Sequence, residues 1–159
     1  MRSAVATVLV ALLSACGAGF DATSTQTYAP SDGIQADSGD IRVLNALVVA
    51  REAGSDGAVS ATVVNRGDRR DRLTGATSPD GTVELSGTGD LPAGGSLTFG
   101  TGGDATATLR GLARNPGETI TLELMFARAA PVRLDTVVLA ATGDYAELAP
   151  APATSPPSP

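Results

Sequence analysis

The sequence predicts an all-β fold, an antiparallel sandwich or barrel of about seven or eight short strands. Segments in which apolar and polar residues alternate recur along the chain, turn-forming residues separate them, and no window has a convincing helical period. Alternation with a period of two indicates a strand with one buried face. With 159 residues and only 3% aromatic residues, the chain is expected to form one domain with a core of Val, Leu, Ile and Ala.

The clearest strand is predicted over residues 120–126, where Ile, Leu, Leu and Phe alternate with Thr, Glu and Met. Residues 132–138 alternate in the same way, and Pro131 interrupts the pattern between the two, which indicates a short turn. Six further strands are predicted, in chain order, over residues 41–49, 59–64, 73–76, 82–85, 96–99 and 105–109. Turn signals separate them at residues 65–68, 79–81, 92–95 and 115–118.

Residues 1–15 are predicted to be a lipoprotein signal peptide. Arg2 precedes a run at residues 4–13 that is apolar apart from Thr7, which is too short for the ~20 residues of a membrane-spanning helix. The run ends in Leu-Ser-Ala-Cys, which resembles the lipobox of bacterial lipoproteins. The resemblance implies cleavage before Cys16 and a diacylglyceryl group on its thiol, with further acylation. The alternative is an ordinary secretory cleavage site after Ala15.

The remaining boundaries follow from composition. Residues 16–39 are rich in Ser, Thr, Gly, Ala and Asp, and are predicted to be a flexible linker that begins at the lipidated cysteine. Residues 40–147 are predicted to form the β-domain, and the Pro-rich residues 148–159 a disordered tail. We expect a protein held by its lipid on the outer face of a bacterial cytoplasmic membrane, with no cofactor other than that lipid.

Composition argues against several functions. The net charge of −6 is unlike that of a nucleic-acid-binding protein, so no nucleic-acid partner is expected. The absence of His removes zinc enzymes and the hydrolases that need an imidazole base. No pair of carboxylates has a glycosidase pattern, and the Gly-rich residues 100–103 are followed by no Lys-Ser/Thr, as a phosphate loop would require. The protein is therefore predicted not to be an enzyme.

Several short motifs occur in an order that resembles the PCu(A)C family of periplasmic copper chaperones. They are GAVSATVVN at residues 57–65, DRLTGATS at 71–78, GTVEL at 81–85, LPAGG at 91–95, RGL at 110–112 and GETITLELMF at 117–126. The chain is similar to the actinobacterial lipoprotein branch of that family, the LpqE-like proteins. The resemblance covers most of residues 41–140 and implies an immunoglobulin-like or cupredoxin-like β-sandwich.

The resemblance also shows where the copper ligands would lie. The family uses His and Met, which suit Cu(I). The family's first His corresponds to Ser86, and its second His and partner Met to Thr106 and Thr108. The Met-bearing hairpin is reduced to residues 87–90. Hydroxyl groups are poor ligands for Cu(I), so we expect no metal at these positions and a binding or scaffolding role instead. The alternative is a divergent chaperone that uses another metal site.

Two further features are candidates. Arg66, Arg69, Arg70 and Arg72 crowd one loop, and form either a patch for an anion, an envelope protein or a cell-wall polymer, or a solvated turn whose charges pair with its own aspartates. Met125 is the only other methionine besides Met1, and is expected to pack against a neighbouring element. The loop carboxylates, at residues 32, 37, 40, 80, 90 and 104, are expected to be turn residues rather than calcium ligands.

Overall fold

A computed structural model of the chain describes residues 33–100 and 102–151. The predicted signal peptide, the lipidation site at Cys16, most of the predicted linker and the last eight residues lie outside the described residues. The described part has no helix that is both long and apolar enough to cross a membrane.

Ten strands account for most of the described residues. All eight predicted strands are confirmed, with ends that differ by a few residues at most. The strands are β1 (Ile34–Ser38), β2 (Ile41–Ala50), β3 (Gly57–Asn65), β4 (Asp71–Thr77), β5 (Thr82–Gly87), β6 (Asp90–Leu91), β7 (Ser96–Phe99), β8 (Ala105–Arg110), β9 (Thr119–Phe126) and β10 (Val132–Ala140).

The strands form one curled sheet in the order β5-β8-β7-β3-β2-β10-β9-β4-β6, with β1 paired to β2. Because the sheet curls, its two halves face each other, which confirms the predicted sandwich of immunoglobulin-like or cupredoxin-like type. Pairing is mostly antiparallel, but β10 runs parallel to β2, and β7 meets β8 in parallel at one residue pair. The predicted antiparallel sandwich thus includes two parallel contacts.

The core is aliphatic, as its composition predicts. Alternate residues of β9 and β10 are buried, and the same alternation holds along β3 and β8. Among the most buried side chains are Ile41, Leu91, Leu97, Leu109, Leu112, Ile120 and Leu122. Each fully buried aliphatic side chain contributes ~1.5–3 kcal/mol to the free energy of folding. A strand turned over would expose all of its apolar residues, so the alternation specifies which face of each strand turns inward.

Strand β2 changes its phase at Asn45. This residue has a φ of 53°, and the register between β2 and β3 shifts between Leu44 and Leu47. One extra residue in a strand reverses the direction of all later side chains. Before the bulge Val43 faces the core, and after it Val48 does, while Leu47 and Val49 turn to the opposite face of the sheet.

Strand β1 corrects the predicted linker boundary. Residues 34–38 carry few large apolar groups, which predicts a linker, yet they pair antiparallel with the first half of β2. Backbone hydrogen bonds to β2 hold this segment, and Arg42 Nη2 donates to Gln35 Oε1 at 2.9 Å. Gly33 precedes the strand, and a Cβ at this position would lie 2.4 Å from the carbonyl carbon of Asn45. The ordered domain therefore begins before residue 40.

The C-terminal segment corrects the predicted tail boundary. After β10 the chain makes one 3-10 turn at Gly143–Tyr145 and crosses the outer face of β2. There Ala149 is buried, and Tyr145 and Leu148 pack with it against Leu47 and Val49. Leu148 and Ala149 thus belong to the domain, because they cover apolar side chains that the Asn45 bulge turns outward.

We predict that this cover stabilises the fold. Leu148→Ser should lower the free energy of unfolding by about 1 kcal/mol, because it removes apolar surface from contact with Leu47 and Val49. Urea denaturation followed by circular dichroism measures the change, since the chain has no Trp. The matched control is Glu147→Ser, which alters an exposed side chain next to it and should change stability by less than ~0.5 kcal/mol. Equal effects of the two substitutions would contradict the packing described.

Candidate functional site

The three positions where the resemblance places copper ligands lie together on the outer face of the sheet. Ser86 of β5 and Thr106 of β8 are directly opposite each other in the antiparallel pairing. Thr108 follows on the same face of β8, because side chains two residues apart in a strand point the same way. Ser86 and Thr106 are exposed and Thr108 is half-buried. The structure thus brings together three hydroxyl groups.

An ion-pair network adjoins these hydroxyls. Arg110 Nε lies 2.8 Å from Glu84 Oε2, and Arg110 Nη1 lies 2.5 Å from Asp56 Oδ2. Glu84 is opposite Thr108 in the same pairing. Hydrogen bonds from Arg110 and from the Gly111 N–H lower the pKa of Asp56, and the bonds to Glu84 and Asp56 raise the pKa of Arg110. Both carboxylates are therefore already paired with Arg110.

The donors at this face are hard oxygen atoms. Hydroxyls and carboxylates suit cations such as Ca²⁺ and Mg²⁺, whereas Cu(I) requires thioether, thiolate or imidazole. Within the described residues, no group of three or more His, Cys, Asp or Glu side chains is placed to hold a metal ion.

Met125 lies elsewhere, on β9. It pairs with Gly75 of β4, and a Cβ at residue 75 would come within 2.7 Å of the Met125 methyl carbon. The thioether side chain therefore lies across the glycine of the neighbouring strand, as expected from its packing role.

The four arginines predicted as a patch lie in or beside the β3–β4 loop, and they differ in how firmly they are held. Arg66 Nη2 lies 2.9 Å from Asp37 and also donates to the Gly39 carbonyl. Arg72 donates through Nε and Nη2 to Asp90.

Arg69 and Arg70 are held more loosely. The Arg69–Asp68 and Arg70–Asp90 separations are 3.8 and 3.6 Å, and both arginines are more than 70% exposed. Only the Arg69 pair fits the alternative in which the loop pairs its own charges.

Two buried polar side chains fix this loop. Asn65 Nδ2 donates to the Arg69 carbonyl at 2.7 Å, and its Oδ1 accepts from the Gly67 N–H at 3.0 Å. Asp71, which is 8% exposed, accepts N–H bonds from Arg72, Arg128 and Ala129 at 2.7, 3.0 and 2.9 Å. Asp71 therefore joins the start of β4 to the β9–β10 loop. Asp71 therefore does not follow the alternative in which the loop aspartates pair with arginine side chains.

The joined loops enclose a groove of about 350 Å³. The β1–β2 turn, the β3–β4 loop and the β9–β10 loop form its walls, with Asp40, Asp68, Arg69, Arg70 and Arg128 among the lining residues. Arg128 was missed by the sequence analysis, because it is distant in sequence and only the pairing of β4 with β9 brings it to the arginine loop.

Comparison with solved structures identifies the class of domain. The copper-bound PCuAC domain from PmoF2 matches with a TM-score of 0.59 and 28% identity, over 67% of this chain and 98% of that one. The apo PCuAC domain from PmoF1 matches with a TM-score of 0.61 and 22% identity, over 67% and 99% of the two chains. The described domain is thus a β-sandwich of the PCuAC type.

The sequence then narrows the class to a family. The family model described as "Putative lipoprotein LpqE-like" matches residues 41–138, and the chain belongs to this LpqE-like family. The match spans the sandwich from β2 into β10. No curated protein matches the chain.

We predict that the Asp71 carboxylate is a pH-dependent clamp. Burial alone would raise its pKa, but the backbone N–H bonds outweigh burial, so the pKa lies below its ordinary value. A carboxyl with a lowered folded-state pKa stabilises the fold above its unfolded pKa of about 4, and this contribution is lost as the pH falls through the folded-state value. Asp71→Asn should therefore cost ~2 kcal/mol at pH 7, and the difference from wild type should narrow towards pH 3.

Urea denaturation at pH 7, 5 and 3 measures this effect. Asp68→Asn is the matched control, because the Asp68 side chain is 95% exposed and its removal should change stability by less than ~0.5 kcal/mol. If the difference in free energy of unfolding between Asp71→Asn and wild type stayed constant from pH 7 to pH 3, the ionised form of Asp71 would not be the source of the stabilisation.

Proposed function

We propose that this protein is a membrane-anchored envelope lipoprotein whose PCuAC-type sandwich has lost the copper site and acts as a non-enzymatic binding or scaffolding module. The observation that carries the proposal is the trio of Ser86, Thr106 and Thr108. The sheet pairing holds these side chains together on one face, where the PCu(A)C resemblance places His and Met.

The chemistry of the donors supports loss of copper transport. Chaperone function needs soft ligands that hold Cu(I) and then release it to a partner. The whole chain has no His, and its Met125 packs on Gly75 from β9, a strand that pairs with neither β5 nor β8. Oxygen donors at the three positions leave Cu(I) without a thioether or imidazole.

The anchor is inferred from the N-terminal sequence and from the family. The only Cys of the chain, Cys16, follows the apolar run, and the family to which the chain belongs is described as lipoprotein. A diacylglyceryl group with a further acyl chain gives stable membrane attachment, whereas a single chain is marginal. The sandwich would then lie outside the cytoplasmic membrane, within reach of envelope proteins and cell-wall polymers.

A second candidate is a divergent metal chaperone, which the 28% identity to the copper-bound PmoF2 domain favours. In this case the metal would be held by ligands other than those of the family. The same metal-binding experiment separates the two candidates.

We predict that the wild-type chain retains no Cu(I) against a competing chelator, and that Ser86→His with Thr106→His and Thr108→Met restores binding of one equivalent. The triple variant places two imidazoles and a thioether on adjacent positions of two paired strands. Native mass spectrometry and bicinchoninate competition under reducing conditions measure both. The control is Ser86→Asn with Thr106→Asn and Thr108→Leu, which changes size without adding a Cu(I) ligand. Retention of Cu(I) by the wild type would overturn the proposal in favour of the second candidate.

We also predict that Cys16→Ser releases the protein from the membrane. Expressed in a bacterium with labelled palmitate, the wild type should incorporate label and sediment with membranes, whereas the variant should incorporate none. The nearby Ser14→Ala leaves the thiol in place and serves as the control. A variant that stays on the membrane, with no label in the wild type, would replace the lipid anchor by an uncleaved N-terminal segment.

A further inference from the structure

The groove between the β1–β2 turn, the β3–β4 loop and the β9–β10 loop is a built feature rather than a gap between mobile loops. Asn65 and Asp71, which are almost fully buried, hold its base with backbone hydrogen bonds. The Arg66 N–H donates to the Asp40 carbonyl at 2.8 Å and ties the β1–β2 turn to the β3–β4 loop. Because the walls are fixed before any ligand arrives, binding would cost little loop ordering.

The cations that line this groove are available. Arg69 and Arg70 have only the long contacts of 3.8 and 3.6 Å described above. Arg128 has no ion pair within the described part of the chain. Exposed pairs of this kind contribute ~0–1 kcal/mol, so a ligand with strong acceptor oxygens displaces them easily. Three guanidinium groups around one groove suit a phosphoryl group, which arginine binds through paired N–H donors.

The carboxylates of the groove restrict the ligand further. Asp40 and Asp68 are exposed at the rim. The Asp40 carboxylate lies beside Gly67, since a Cβ built on residue 67 would be 2.9 Å from Asp40 Oδ2. These charges repel a bare phosphate ion, but they accept hydrogen bonds from hydroxyl groups. A ligand that carries both a phosphate and neighbouring hydroxyls satisfies both sets of side chains.

We propose that this groove binds a phosphoryl group carried on a polyol, with Arg69, Arg70 and Arg128 on the phosphate and Asp40 and Asp68 on the hydroxyls. This inference rests on the proposed binding role and names a ligand chemistry for it. It is independent of the copper result, because Ser86, Thr106 and Thr108 lie on β5 and β8 and do not line the groove. A phospholipid headgroup and a soluble polyol phosphate both have this chemistry.

Calorimetric titration of the full chain in non-ionic detergent micelles tests the proposal. Inositol 1-phosphate and glycerol 1-phosphate should bind at least tenfold more tightly than inorganic phosphate, and glycerol should not bind. Binding should weaken with salt, because exposed charges are screened. The titration is repeated in micelles that contain phosphatidylinositol. Suppression of the signal assigns the groove to a lipid headgroup, and an unchanged signal assigns it to a soluble ligand.

Matched variants locate the site. Arg70→Gln and Arg128→Gln should each weaken inositol 1-phosphate binding at least fivefold. Arg51→Gln removes the same charge from a loop that does not line the groove and should leave binding unchanged. Asp40→Asn should narrow the preference for inositol 1-phosphate over inorganic phosphate. Urea denaturation of each variant establishes that it folds.

Three results would overturn the proposal. The first is the absence of polyol phosphate binding by the wild type, and the second is equal affinity for inorganic phosphate. The third is an equal loss of inositol 1-phosphate affinity in Arg51→Gln and Arg128→Gln, which would show that binding depends on net charge and not on this groove. None of these results changes the interpretation of Cu(I) retention, so failure of this inference and failure of the proposed loss of copper are distinguishable.

Discussion

The rest of the structure depends on strand β2, because it is the strand through which both halves of the sheet are joined. It pairs with β3 on one side, and with β1 and then β10 on the other. Its second half, from Ala46 to Ala50, is buried on both faces. A bulge at Asn45 makes this possible, since it turns Leu47 and Val49 outward, where the C-terminal segment covers them. The buried Thr136 hydroxyl adds a link by donating to the Ala46 carbonyl at 2.5 Å. The domain therefore extends at its N-terminal end to β1, which pairs with β2, and at its C-terminal end to the segment that covers Leu47 and Val49.

Buried polar groups organise the loops at the arginine-bearing end of the sandwich. An aspartate in an apolar setting is costly unless its oxygens are satisfied, and Asp71 is satisfied by backbone N–H groups of two loops. The same hydrogen bonds that offset the cost of burying this carboxylate also hold the two loops in register with each other. The exposed arginines nearby contribute little to the stability of the fold. Arg69 and Arg70 in particular leave their guanidinium groups open to solvent.

The sequence predicted the strands well and the polar architecture poorly, for physical reasons. Apolar patterning marked eight of the ten strands. It did not mark β1, which carries few large apolar groups, or β6, which has only two residues although its Leu91 is fully buried. One interpretation of the sequence paired the aspartates of the β3–β4 loop with its arginines. Asp71 instead accepts from the backbone N–H groups of Arg128 and Ala129, which lie more than fifty residues away. The position of Arg128 at the groove depends in the same way on the pairing of β4 with β9. Ser86, Thr106 and Thr108 could be placed together only through the resemblance to a family.

The two faces of strand β8 explain how a fold can persist while its site changes. Ala105, Ala107 and Leu109 point into the core, and a change in their size would disturb close packing. Thr106 and Thr108 alternate with them and point outward, so their identity has little effect on the free energy of folding. The same holds for the exposed Ser86 on β5. Substitutions at these outward positions therefore leave the sandwich intact. Similarity to a copper-bound PCuAC domain consequently constrains the inward residues of this chain far more than its chemistry, and function has to be argued from the side chains that the sheet presents to solvent.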